Sequence, residues 1–451
     1  MQMNHIFISL IVSSPLFHTT LSLPLKSTSA VFPPSELSSF TECAKNGFPD
    51  WASLTPYLQR LDVSSPYGKT SASQVFLPLF SSLPLTGLAP NNTITTLAIY
   101  LHGLSGAANT YFCDGLATSA GHNALVIAPW FGNEQVDGQF WNTPNGDYDD
   151  SYSTFWTTSR WLTGGNISPG PTGSPSSQYT TSFDVMEALL LNLTTSGLFP
   201  NLKLVSLNGF SAGSQFFGRF MWGSPVGGTS TQDAAMTGGI ETRFLISDPG
   251  TYLYMTDQRP ADECRPLFDT GADWTCDKWE KPAEAEVCLD YDEYKYGISP
   301  GTFSSLNAYM AIYDTNTTAR EEATQRMSEK NLIFIFGEND NCNCNTQKFE
   351  LSPYCFPDEG ALSCLPNAYG GAGCCDTFPD ATTSNAMDVK CQAMVQGSNR
   401  LQRGLLYVSH LNYVFPGRTK GPFTATVVKG MGHDNAAEYK SAAFQQAAFY
   451  E

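Results

Sequence analysis

The run Leu204-Val205-Ser206-Leu207-Asn208-Gly209-Phe210-Ser211-Ala212-Gly213 is an apolar strand that leads straight into a Gly-x-Ser-x-Gly turn. A serine on such a turn sits in a strained backbone conformation between a strand and a helix, with its hydroxyl at the edge of a sheet. Gly209 and Gly213 let the two elements approach closely, and Ala212 offers a small side chain and a backbone N–H. The segment Ser214 to Phe220 continues as the start of the helix. The pentapeptide alone decides little, because Gly297-Ile298-Ser299-Pro300-Gly301 fits it as well. No apolar strand precedes that copy, and Pro300 has no N–H to offer an oxyanion. It reads as a turn, and Ser211 reads as the nucleophile.

Short apolar runs with turn signals and helical patterns between them predict an α/β fold with a mostly parallel central sheet. They are Thr96–Leu101, Ala124–Ala128, Lys203–Leu207, Arg243–Ser247, Asn331–Phe336 and Thr424–Val428. Each is apolar on both faces, as strands flanked by helices on both sides must be. Thr181 to Leu193 opens on a Thr-x-x-Asp capping box and repeats apolar residues at Phe183, Met186, Leu189 and Leu190, which predicts a crossover helix. The expected organisation is a leader and first strands over 23–94, then one domain over 95–451. Residues 251–330 and 341–422 are too long for connecting loops and read as cysteine-containing insertions, of the kind that form lids or binding loops.

A serine hydroxyl needs a base within hydrogen-bond reach and a carboxylate to orient that base. Of six histidines, His433 follows the last strand on the loop Gly430-Met431-Gly432-His433-Asp434, at the sheet edge where Ser211 also lies. His433 is therefore the expected base. His122 precedes a strand, His410 sits in a helix-like run, and His102 belongs to a loop it is expected to brace. For the acid, Asp340 in Phe336-Gly337-Glu338-Asn339-Asp340 is preferred, with Glu338 and Asp248 open as alternatives. Asp434 adjoins the base too closely to turn back on its ring. The oxyanion hole is assigned to the N–H groups of Ala212 and of Leu104, the latter in Leu101-His102-Gly103-Leu104 after an earlier strand.

Between the second strand and the crossover helix lie Trp130, Phe131, Phe140, Trp141, Tyr148, Tyr152, Phe155, Trp156 and Trp161, most of them expected to be packing and some to line the cleft. Asp147, Asp149 and Asp150 among them match no calcium loop. Neither a metal nor a cofactor is expected. The twelve cysteines, ten of them from Cys264 onward, read as disulfides of an oxidising compartment, since no histidine stands among them at zinc-like spacing. Residues 1–22, with an apolar run over 6–12 and small residues at Thr20-Leu21-Ser22, read as a secretory signal peptide that takes His5 and His18 with it. Sequons at Asn91, Asn166, Asn192 and Asn316 agree with a glycosylated, secreted product. A net charge of −18 argues against nucleic acid and anionic membrane surfaces as partners. The last residues, 442–451, read as an amphipathic helix without an apolar tail for an anchor or a span.

With strand-His-Gly, Gly-Phe-Ser-Ala-Gly, Gly-x-x-Asp and Gly-His in this order, the chain resembles the α/β-hydrolase superfamily of serine esterases, lipases and peptidases from about residue 95 to the end. Within it, Phe199-Pro200-Asn201-Leu202-Lys203, Tyr252-Leu253-Tyr254, Tyr294-Lys295-Tyr296-Gly297 and Cys391-Gln392-Ala393-Met394-Val395-Gln396-Gly397 are similar to a subgroup of secreted or bacterial hydrolases. Phe210 stands where that subgroup often has histidine, and Ser214 where it often has glycine. The resemblance implies the α/β-hydrolase fold and carries nucleophile, acid, base and oxyanion donors onto Ser211, Asp340, His433, Ala212 and Leu104. It implies a secreted carboxylic-ester hydrolase acting on a small-molecule or polymeric ester. Two other readings share these residues: a serine peptidase on the same fold, and a non-catalytic binding module. The elbow lacks the glutamate that peptidase members often carry.

Overall fold

The computed structural model describes residues 43, 54, 57–63, 76–133, 154–157, 159–168, 180–229, 237–264, 275–283, 288–303, 309–338, 340, 355–358, 361–364, 388, 390–397 and 399–449. The expected signal segment, the acids at 147–150, and Phe140, Trp141, Tyr148 and Tyr152 lie outside the described residues. Eight strands form one sheet: β1 (Leu58–Asp62), β2 (Phe76–Ser81), β3 (Thr96–Leu101), β4 (Ala124–Pro129), β5 (Leu204–Phe210), β6 (Glu241–Ser247), β7 (Asn331–Gly337) and β8 (Ala425–Val428). Their order is β1-β2-β4-β3-β5-β6-β7-β8, with β2 antiparallel to β1 and β4 and every other pairing parallel. All six expected strands are present.

Alternation along β3 shows why its whole length is apolar. Leu97, Ile99 and Leu101 join one core, and Ala98 and Tyr100 join another on the opposite face. The second face is covered by α1 (Ala108–Thr118) and α6 (Ala442–Phe449), through Tyr111, Phe112, Phe444 and Ala448. The first carries α2 (Ser182–Thr195), α3 (Ala212–Gly223), α4 (Thr317–Glu329) and α5 (Arg400–Val414), through residues such as Phe183, Phe216, Met327 and Leu401. Both long stretches between strands thus close in a helix that packs on the sheet. Gly404 of α5 is pressed on β7 so tightly that a Cβ there would lie 2.6 Å from the Phe336 ring.

Three of the four segments that carry the subgroup resemblance meet one another. Gln396 accepts from Tyr252 N–H and donates to Tyr252 O, each at 2.9 Å, and Tyr254 N–H donates to Tyr296 O at 3.0 Å. Three disulfides are formed among the described residues: Cys43–Cys113, Cys264–Cys276 and Cys288–Cys391. The last ties the stretch after β6 to the stretch after β7. No helix among the described residues is long and apolar enough to cross a membrane.

The capping box on α2 is complete: Thr181 Oγ1 accepts from Asp184 N–H at 3.2 Å, and Asp184 accepts from Thr181 N–H at 2.9 Å. Both residues are buried, so water cannot replace the cap. Thr181→Ala is expected to lower unfolding stability by about 1–2 kcal/mol, read as a shift of the urea midpoint at constant slope.

Candidate active site

The serine turn is what its sequence predicts. Ser211 has φ 54° and ψ −115°, a left-handed conformation that a non-glycine residue adopts only when its surroundings enforce it. Two bonds from the end of β6 supply that enforcement: Ser211 N–H donates to Ser247 O at 2.9 Å, and Ser247 N–H donates to Ser214 Oγ at 2.6 Å. Ser214, which departs from the subgroup pattern, is therefore part of the clamp. Neither glycine of the turn has room for a side chain. A Cβ at Gly209 would lie 2.7 Å from Ser214 N, and one at Gly213 would lie 2.3 Å from Leu101 O and 3.0 Å from His102 O. The second contact brings the loop after β3 against the start of α3, where Ala212 is the first helical residue and its N–H has no intrahelical acceptor.

That loop is braced by His102. Its Nδ1–H donates to Gly103 O at 2.8 Å and its Nε2 accepts from Phe131 N–H at 3.0 Å, while Trp161 packs edge-on at 4.8 Å. Burial lowers its pKa to about 4 against the opposing pull of Gly103, so the ring stays neutral in this tautomer. The Tyr111 hydroxyl reaches the same loop, 2.9 Å from where a Cβ at Gly103 would lie. Leu104 projects from it, 54% exposed. Of the aromatic residues in the loop region, Trp130, Phe131, Trp156 and Trp161 are buried packing.

His433 lies beside the elbow, its imidazole 4.6 Å from the ring of Phe210, the residue before the serine. His433 Nδ1 is 2.6 Å from Asp340 Oδ2. Arg400, first residue of α5, donates from Nη1 to Asp340 Oδ1 at 3.2 Å. Burial by itself would raise the Asp340 carboxyl, but the charges and hydrogen bonds of His433 and Arg400 outweigh it and hold it below the usual range. Burial and the Arg400 charge lower His433 by more than Asp340 raises it. The imidazole is thus neutral at neutral pH, with Nδ1 directed at the acid.

The structure separates the three acids that sequence left open. Asp340 meets the imidazole. Glu338 Oε2 accepts from Gly430 N–H at 2.7 Å and so fastens the loop that carries His433. Asp248 accepts from Gly337 N–H with both oxygens at 3.2 Å. The second Gly-x-Ser-x-Gly copy is a turn: Ser299 Oγ donates to Asp292 Oδ2 at 2.7 Å. His410 is buried in α5 with Nε2 accepting from Met255 N–H at 3.1 Å, and His122 stacks on Phe449 at 4.2 Å. Sequence reasoning missed Arg400, which stands sixty residues beyond Asp340 and reaches it only because α5 begins there. A signal existed in the helix start at Asn399, whose side chain accepts from Gln402 N–H. In an imidazole titration followed by NMR, His433 is expected to have a midpoint below the ordinary ~6.5, and Arg400→Met is expected to raise it, because the removed cation disfavours the charged ring.

No protein-family model matches the sequence, and no curated protein sequence matches it. Among solved structures, the chain is similar to poly(aspartic acid) hydrolase-1 from Sphingomonas sp. KT-1, at 15% identity over 82% of this chain and 92% of that one, with a TM-score of 0.44. It is also similar to LpqC, a poly(3-hydroxybutyrate) depolymerase from Bordetella parapertussis, at 16% identity over 82% and 83%, with a TM-score of 0.42. The sheet order, the strained serine turn closing β5 and the loop after β3 packed against it give this chain the α/β-hydrolase fold.

Proposed function

We propose that the protein is a secreted serine hydrolase that cleaves carboxylic esters through an acyl-enzyme at Ser211. The observation that carries this reading is the 2.6 Å contact of His433 Nδ1 with buried Asp340, on a ring that also packs against the residue preceding the elbow serine. Ser211 Oγ attacks the ester carbonyl while His433 Nε2 takes the hydroxyl proton. Asp340 accepts from Nδ1–H, fixes the tautomer and stabilises the imidazolium that forms. The tetrahedral oxyanion is held by Ala212 N–H and Leu104 N–H. Collapse expels the alcohol, which receives the proton from His433. Water then repeats the sequence on the acyl-enzyme and releases the acid.

Secretion is supported by the three disulfides. Exposed Leu104, on the loop that packs against the elbow, offers an apolar contact that suits an acyl or alkyl group.

A panel of acyl esters and peptide amides, run on the native protein and Ser211→Ala together, tests the assignment. Ester turnover is expected to fall by about 10⁴-fold or more in the variant, with its thermal midpoint unchanged; full activity surviving the change overturns the serine mechanism, and amide turnover without ester turnover makes the protein a peptidase. The kcat/KM profile on esters is expected to fall on the acid side with a midpoint below ~6.5, since burial and Arg400 depress the base. A profile flat down to about pH 4 would remove histidine from the mechanism.

A further inference from the structure

The segments that carry the serine, the acid and the base converge on Asp248. It directly follows β6, whose last residue, Ser247, accepts from the Ser211 N–H at 2.9 Å. Its two carboxyl oxygens both accept from Gly337 N–H, at the point where β7 ends and the turn to Asp340 begins. Asp340 N–H in turn donates to Gly337 O at 3.1 Å. The loop of His433 passes over the same glycine, where a Cβ would lie 2.7 Å from Met431 O and 2.9 Å from Gly432 O. One Asp248 oxygen is within 4.8 Å of both an Asp340 oxygen and a His433 ring nitrogen. Asp248 is fully buried, and its φ of 46° is the second left-handed non-glycine conformation among the described residues, after Ser211. Strain of that kind is kept where the surrounding contacts over-determine a position.

The charges around it fix its protonation state. From β7 and its turn it faces Asp340, from α5 Arg400, from the β8 loop His433, and from the segment after β6 the Tyr252 phenol. From the short helix Asn435–Tyr439 it faces Glu438, which is buried against the Ser247 hydroxyl and the Asp248 carboxyl. Three carboxyls face one guanidinium. Carboxyls this close cannot all ionise. Asp340 takes the charge because it alone is bonded to both Arg400 and His433. Burial first, then the negative charge of Asp340, pushes the Asp248 carboxyl well above its usual range, and burial pushes Glu438 up to about 8.

We infer that Asp248 is a positioning residue, a neutral carboxylic acid that ties the end of β6 to the Asp340 turn and leaves Asp340 as the negative charge bonded to His433. Asp434, next to His433 in sequence, is the other carboxylate the ring faces. The inference rests on the serine mechanism proposed above. Asn at 248 keeps the neutral shape and an oxygen acceptor for Gly337 N–H; Ala removes both.

The test is the steady-state ester kinetics of Asp248→Asn and Asp248→Ala, with Ser211→Ala as reference. Asp248→Asn is expected to keep kcat within about threefold and to leave the acid-side midpoint of kcat/KM unmoved. Asp248→Ala is expected to lose about tenfold or more in kcat at nearly constant KM, as a displaced acid turn would cause. If Asp248 were ionised, its replacement by Asn would remove a negative charge that favours the imidazolium, and the midpoint would drop by about one pH unit or more; that drop overturns the inference, as does Asp248→Ala with native kcat. Should Asp248→Ala show no cooperative thermal transition, the Asp248→Asn profile decides alone. An active Ser211→Ala variant overturns the underlying mechanism instead, so the two failures are told apart.

Discussion

A carboxylate as deeply buried as Asp340 must find a cation or strong donors, because an unpaired charge in the protein interior costs several kcal/mol. Much of the architecture around the sheet edge follows from meeting that demand. Arg400 supplies the cation, and it can do so only because α5 begins where the acid turn ends, with Leu401 N–H bonded to Asp340 O at 3.1 Å. The other carboxyl oxygen is left for His433, so the imidazole has one orientation available to it. The helix that covers β7 and the loop that follows β8 are thus anchored on the same side chain. Burial, reinforced by the Arg400 charge, keeps the histidine neutral, which a base that must accept a proton requires.

Strain at the sheet edge occurs at adjoining points. Ser211 and Asp248 follow β5 and β6, which pair in parallel register with Phe210 opposite Ser247. Each is the residue at which a strand ends and the chain must turn away, and the Ser211–Ser247 bond couples the two turns. Bulk at Gly213 would force the elbow away from the loop after β3, and bulk at Gly337 would force β7 away from the His433 loop. Close backbone approach at these two glycines, more than side-chain packing, sets the spacing of the site.

The sequence was most legible where one local interaction dominates. Strands apolar on both faces, the Thr181–Asp184 capping box and the strand leading into Gly209-Phe210-Ser211 each carry their own signature, and each is found where expected. β1 and β2 carried none: Leu58–Asp62 has only two apolar residues and no alternation, and Phe76–Ser81 contains Pro78, so they were expected only somewhere within 23–94. The choice among Asp340, Glu338 and Asp248 was equally beyond local reading. All three follow strand ends at one sheet edge, and only the tertiary partners distinguish them: an imidazole, a loop N–H and a strand N–H. Asn399 marked where the helix of Arg400 starts, but nothing local marked the roles of Arg400 and Glu438, which exist only once two distant segments have met.

The Cys288–Cys391 bridge spans 103 residues of sequence that begin after β6 and end just before α5, and β7 with Asp340 lies inside that span. A protease working in the same compartment that cuts the backbone anywhere between the two cysteines leaves both pieces covalently joined. Such a nicked chain would migrate as one species on an unreduced gel and as two after reduction, with β7 still paired in parallel to β6 and β8 across the cut. A cut within that span therefore leaves the acid and its base in one covalently joined molecule.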